Sequence, residues 1–141
     1  MISFTVPAVP VAQPRHRIGI INGKGRAFQA PKTHPIHAFK ASVRQAFTSQ
    51  YSGPPIEGPI ALEAVFVLPR PKAMCWKSRE MPRALHTKRC DLDNLLKGVK
   101  DALNEIAWRD DGQVCEVVAT KFIASGDEQP HVEIEIREIT A

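Results

Sequence analysis

Leu92-Asp93-Asn94-Leu95-Leu96-Lys97-Gly98-Val99-Lys100-Asp101-Ala102-Leu103-Asn104-Glu105-Ile106 carries the strongest periodic signal in the chain. Leu92, Leu95, Leu96, Val99, Ala102, Leu103 and Ile106 recur at the spacing that aligns side chains along one stripe of a helix. Such a stripe must be buried against another layer, and the flanking segments identify it as a sheet. Upstream, Ile60–Leu68 is an apolar, β-branched run bounded by prolines, the pattern of a well-buried strand. Downstream, Val114–Ile123 reads as another strand. Val132, Glu133, Ile134, Glu135, Ile136 and Arg137 then alternate with period two. Gly126 and Pro130 lie between these last strands, which predicts a hairpin.

Farther out, Ile36, Phe39, Val43, Ala46 and Phe47 recur at helical spacing, with Lys40 and Arg44 on another face. This helix is expected to start near Pro35, with Thr33 as its cap, and to stop at Gly53-Pro54-Pro55. Ile2, Phe4 and Val6 alternate with Ser3 and Thr5 as a strand ending at Pro7. Residues 10–35 and 69–89 are long segments rich in proline and basic residues, the first with a hairpin signal at Asn22-Gly23. The expected order is β-α-β-α-β-β: an α+β fold, a small mixed sheet carrying two main helices, in one domain over residues 1–141.

The length of 141 residues suits one domain with a proper core. No apolar run approaches the ~20 residues of a membrane span. Residues 1–9 lack the basic start and apolar block of a secretory signal. Cys75, Cys90 and Cys115 form no C-x-x-C pair and are odd in number, so neither a disulfide framework nor a zinc knuckle is indicated. A reducing cytoplasm is the expected compartment. The net charge of +4 is unevenly spread. No acid precedes Glu57, whereas Arg15, Arg17, Lys24, Arg26, Lys32, Lys40 and Arg44 do. Arg70, Lys72, Lys77, Arg79, Arg83, Lys88 and Arg89 follow. The balance then inverts with Asp91, Asp93, Asp101, Asp110, Asp111 and Glu116. A basic body beside an acidic cluster suggests a polyanion ligand together with a cation site.

Asp91-Leu92-Asp93 is the sharpest local feature. Residues two apart in a helix point about 200° apart, whereas in extended chain they share a side with backbones roughly 6.6 Å apart. Asp91 is therefore expected in extended chain, with the helix starting near Asp93 or Asn94. Asp110 or Asp111, from the turn after the helix, supplies a third acid, provided the chain returns along the helix. Clustered carboxylates are hard oxygen ligands suited to Mg²⁺ or Mn²⁺. Such an ion activates water and neutralises charge on a phosphate under attack, and Lys97 is placed to assist. Singly, each residue has a plainer use: Asp93 as a helix cap, Asp110-Asp111-Gly112 as a turn, Lys97 as a surface partner of Asp93 or Asp101.

Taken together, Arg89-Cys90-Asp91-Leu92-Asp93-Asn94-Leu95-Leu96-Lys97, then Asp101-Ala102-Leu103-Asn104, then Ala107-Trp108-Arg109-Asp110-Asp111-Gly112-Gln113-Val114 closely resembles the RusA family of Holliday junction resolvases. The match is strongest from Lys88 to Val114 and weaker over the rest of the chain. The resemblance implies a homodimeric endonuclease, dependent on Mg²⁺ with Mn²⁺ able to substitute, that resolves four-way DNA junctions by paired symmetric nicks. It implies metal ligands at Asp91, Asp93 and Asp111, a functional lysine at Lys97, and a less critical acid at Asp110. Cys90 departs from the proline or basic residue usual before the first aspartate. The bases expected to hold DNA phosphates are Arg15, Arg17, Lys24, Arg26, Arg70, Lys72, Lys88 and Arg89. A bacterial or phage origin fits the resemblance. The competing readings are a non-catalytic DNA-binding module and a small metal-dependent phosphohydrolase. The second is weakened by the lack of a G-x-x-x-x-G-K loop.

Overall fold

A computed structural model describes residues 1–14, 17–28 and 30–140, with the backbone alone for 17–19, 21 and 26–28. Its elements are strands β1 (Ile2–Val6), β2 (Arg17–Ile21) and β3 (Lys24–Phe28), helix α1 (Pro35–Gln50), strands β4 (Ile60–Leu68) and β5 (Ala84–Leu85), helix α2 (Leu92–Leu103), and strands β6 (Val114–Ile123) and β7 (His131–Glu138). Five strands form a mixed sheet in the order β1-β7-β4-β6-β5. Only β4 and β6 are parallel, and α2 lies in the connection between them, as a parallel pair requires.

The apolar run of β4 explains its central place. Ile60, Leu62, Ala64 and Phe66 are buried on the face toward the helices, where they meet Val132, Ile134 and Ile136 of β7 and Phe4 and Val6 of β1. Ile36, Phe39, Val43 and Phe47 of α1, with Leu95, Val99, Ala102 and Leu103 of α2, close the same core. The two helices approach closely at Gly98, where an added Cβ would stand 3.3 Å from Ile36 Cδ1. Arg44 Nε of α1 also donates to the Ala102 carbonyl of α2 at 3.1 Å. The α+β class, the mixed sheet and the two packed helices agree with the sequence-based expectation.

Several local expectations need correction. β6 and β7 do not form a hairpin, because β4 lies between them. Each of those strands gains more by pairing with the most apolar strand than by pairing with the other. The 124–130 connection therefore spans the width of β4, about 10 Å. The cap of α1 is His34, whose Nδ1 accepts from Ile36 N at 3.0 Å, in place of Thr33. That helix ends at Gln50, before Gly53-Pro54-Pro55. α2 begins at Leu92 and ends at Leu103, so Asp93 lies within its first turn and Ile106 lies beyond it. Extended geometry holds for Asp91 (φ −66°, ψ 134°), which is the cap, and stops there. The Asn22-Gly23 turn is present between β2 and β3, with φ of 53° and 75°. Among the described residues, no helix is long and apolar enough to cross a membrane.

Candidate metal and DNA site

The outer face of α2 is polar by default, since its other face fills the core. Asp93, Leu96, Lys97, Lys100 and Asp101 fall on this side at i, i+3, i+4, i+7 and i+8. The chain reverses immediately after the helix. Glu105 adopts φ +68°, and the Ile106 and Ala107 N–H groups both return to the Leu103 carbonyl. Trp108 is fully buried and bridges back to Asn104 and Ile56. A short 3-10 turn, Asp111–Gln113, is thereby laid against the helix. The strand after the helix, expected to bring Asp111 back toward Asp91, does not make the return: the 104–108 segment reverses the chain before that strand begins and sets Asp111 beside Asp93, Lys97 and Asp101. Asp93, Leu96, Lys97, Lys100, Asp101 and Asp111 line one cleft of about 270 Å³.

The adjacent aspartates of the turn do different things. Asp110 caps the turn: its Oδ2 accepts from Gly112 N at 2.8 Å, and its N–H donates to Gln113 Oε1 at 2.8 Å. Gln113 Nε2 in turn donates to the carbonyls of Ile56 and Gly58. Together these bonds fix the turn to the segment that leads into β4. Asp111 instead faces the cleft, with Oδ1 accepting from Trp108 Nε1 at 2.9 Å. Lys97 lies 4.0 Å from Asp101, whose carboxylate also stands 3.9 Å from Lys40. Burial holds the Lys40 pKa below the ordinary lysine value, against the pull of Asp101.

Asp91 sits at the mouth of α2, and its carbonyl accepts from Asn94 N and Leu95 N. It is not among the residues lining the cleft. The approach to it is held by Lys121, an inward-facing residue of β6. Lys121 Nζ donates to the carbonyls of Lys88 at 2.9 Å and Cys90 at 2.7 Å. Cys90, the second of these, is left-handed, φ +83°, a conformation that costs a non-glycine residue free energy and persists here under those two bonds.

Among the described residues, only Glu128, His131 and Glu133 bring their ligand atoms within 4.8 Å of one another, so the three aspartates are not drawn together to that extent. The carboxylates of the Glu–His–Glu group are already engaged by a cation. Arg83 Nη2 lies 2.6 Å from Glu128 Oε2 and 2.7 Å from Glu133 Oε2. Hydrogen bonds from Arg83 lower the Glu128 pKa to about 2. Both ring nitrogens of His131 face acceptors, the Gln129 carbonyl and Glu133, and although burial opposes it these raise the His131 pKa. The cluster ties the basic 69–83 loop to the start of β7. Because the folded pKa of Glu128 is depressed from 4.5, its contribution is present above about pH 4.5 and is lost as pH falls toward 2. Glu128→Gln is expected to cost on the order of 1 kcal/mol at neutral pH and to flatten the fall in Tm over that acid range. Thermal melts of both proteins from pH 7 to pH 2 check this.

The expected DNA-contacting bases divide by the work they do. Lys24, Lys72, Lys88 and Arg89 are exposed. Arg70 is built into its loop: it donates to the carbonyls of Met74, Pro82 and Ala124, and with Arg79 it brackets the Trp76 ring. Arg15 lies outside the described residues, as do the side chains of Arg17 and Arg26. Trp108, Gln113 and Lys121 were not singled out as functional in the sequence. The Asp110-x-x-Gln113 spacing signals a capping box, and Lys121 is a charge at an inward strand position. A larger cavity of about 450 Å³ on the opposite sheet face is lined by Ser3, Thr5, Glu63, Glu133 and Glu135 among others, away from the α2 aspartates.

A family model described as "Endodeoxyribonuclease RusA" matches residues 7–137. A Bacillus subtilis (strain 168) protein, described only as "Uncharacterized protein YqaN", is 35% identical over 145 residues, covering 99% of this chain and 98% of that one.

Proposed function

The chain belongs to the RusA endodeoxyribonuclease family, and we propose that it acts as a homodimer that resolves four-way DNA junctions by paired, Mg²⁺-dependent hydrolysis of symmetric phosphodiesters. The observation that carries this reading is the shared cleft of Asp93, Lys97 and Asp111, with Asp91 at the cap of the same helix. The donor set fits the ion: short carboxylates on an open cleft give hard oxygen ligands while leaving room for water and phosphate oxygens. The competing Glu128–His131–Glu133 group fits less well, because a guanidinium already occupies its carboxylates.

A bound Mg²⁺, with Mn²⁺ as substitute, would supply Lewis acidity toward the phosphate and the attacking water. Asp93 and Asp111 hold negative charge on the cleft walls, and Asp91 extends the acidic set beyond the helix mouth. Lys97 can turn from Asp101 toward the phosphate, where its ammonium offsets charge as the bond breaks. Lys24, Lys72, Lys88 and Arg89 supply exposed positive charge to fix the strands without reading bases. A junction offers two equivalent strands about a two-fold axis, which a C2 dimer matches with two sites.

Synthetic four-way junctions and linear duplex, incubated with Mg²⁺ and either wild type or Asp91→Asn, test the proposal. Symmetric nicks confined to the junction and lost in the variant, with junction binding retained, support it. Binding without cutting by the wild type would favour the non-catalytic module. Affinity should fall with salt at a log–log slope of about −0.9 per phosphate neutralised, and a flat salt response would exclude a backbone-held complex.

A further inference from the structure

The two acidic groups of this protein are held by opposite means, and the difference points to a role for a buried tryptophan. Glu128 and Glu133 are fixed by a guanidinium, which orients them and offsets part of their charge. Asp111 is fixed by a neutral donor, the Trp108 indole N–H, 2.9 Å from Oδ1. An indole N–H can only donate, and a buried donor left without an acceptor is costly. Trp108 is fully buried, with its backbone bridged to Ile56 and Asn104, so its ring has little freedom to follow a moving carboxylate. The constraint runs from the core outward. Gln113 holds the turn by its backbone, Trp108 holds the Asp111 side chain, and Oδ2 takes no hydrogen bond from the described residues. A neutral donor fixes a rotamer while leaving the full negative charge available to a cation.

We propose that Trp108 is a positioning residue that presents Asp111, its charge intact, to a divalent ion in the α2 cleft; this rests on the metal-dependent reading above. The geometry also explains why a tryptophan serves where a lysine or arginine would not. A cation at that position would compete with the ion for the same carboxylate.

Mn²⁺ binding to the full chain without DNA tests the inference, with free Mn²⁺ followed by its electron paramagnetic resonance signal. Asp111→Asn establishes how much of the binding depends on this ligand. Trp108→Phe is expected to weaken Mn²⁺ binding by about tenfold, the lower end for a partner that orients a metal ligand. Because phenylalanine leaves unfilled volume, benzothienylalanine at position 108 provides a second variant that keeps the bicyclic shape and lacks the N–H. It should weaken binding equally, with the thermal melt held near that of wild type. In the Asp111→Asn background neither change should weaken binding further. Wild-type affinity in the benzothienylalanine protein would overturn the inference. So would equal weakening with and without Asp111, the mark of general loosening. Mn²⁺ binding indifferent to Asp111→Asn would instead remove the metal reading of this aspartate, and the role of Trp108 with it.

Discussion

Asp111→Asn is expected to lower the rate of junction nicking by about a thousandfold or more while leaving the fold and junction binding intact. The asparagine amide oxygen replaces Oδ1 nearly atom for atom and can still accept from Trp108, so the buried indole keeps its partner. What is lost is the negative charge, and in place of Oδ2 an amide group turns donor hydrogens toward the cleft. The neighbouring position supplies the control. Asp110 spends its carboxylate on capping the turn, and asparagine caps as well as aspartate. Asp110→Asn should therefore stay within about threefold of wild type, since the cap geometry survives. Single-turnover nicking with Mg²⁺, alongside gel-shift binding in Ca²⁺, measures both variants. A thousandfold loss at position 110 with little loss at 111 would reverse the assignment of the pair.

The second large effect is expected at Lys121→Met, a residue outside the acidic cleft. Its ammonium spans the carbonyls of Lys88 and Cys90, on either side of Arg89 and directly before Asp91. Methionine keeps most of the aliphatic stem and removes both bonds. Bonds to a charged donor are worth roughly 1.5–3 kcal/mol when buried, and less in this half-exposed place. Without them Cys90 has less to hold it at φ +83°, and the natural relaxation to negative φ redirects the chain entering α2. A displacement of about 1 Å at a reacting centre can cost on the order of a hundredfold in rate. The expected outcome is a loss of ten- to a hundredfold in nicking rate, with stability lowered by about 1–2 kcal/mol. Cys90→Gly in the same background should restore part of the rate if the left-handed residue is the link, because glycine adopts that conformation without penalty. A rate unchanged by Lys121→Met would show that the loop holds Asp91 without the clamp.

The sequence revealed its elements far better than their neighbours. Both helices, β4, β6 and β7 were legible because each is amphipathic or apolar at its own period, a property of single segments. The order of strands was not, since β6 and β7 look like a hairpin when only the connection is read. Their separation by β4 depends on how much apolar surface each pairing buries, which no segment states alone. The site divides in the same way. The candidate acids were visible as residue types at a spacing, and the resemblance set Asp111 apart from Asp110, but the capping work of Asp110 and the cleft-facing turn of Asp111 follow only from the direction of each side chain. By the D-x-D spacing alone, Asp91 lies in extended chain and the helix starts near Asp93 or Asn94. Asp91 is extended, but α2 begins one residue before Asp93, so cap and first turn take the place of a shared strand face. The reversal at Glu105 is invisible in the sequence, because left-handed glutamate has no signature there.

The placement of β7 has a consequence for how the molecule comes into being. Among the described strands β1 is synthesised before the others and β7 after them; β1 hydrogen-bonds to β7, and β7 also pairs with β4 along nearly its whole length. Until β7 emerges from the ribosome, β1 has none of the described strands beside it and β4 presents an open apolar margin. Sheet completion therefore waits until residues 131–138 have been synthesised. Contacts of such long sequence separation make for slow folding, and a nascent chain paused before residue 131 would expose edge surface of the kind that chaperones bind.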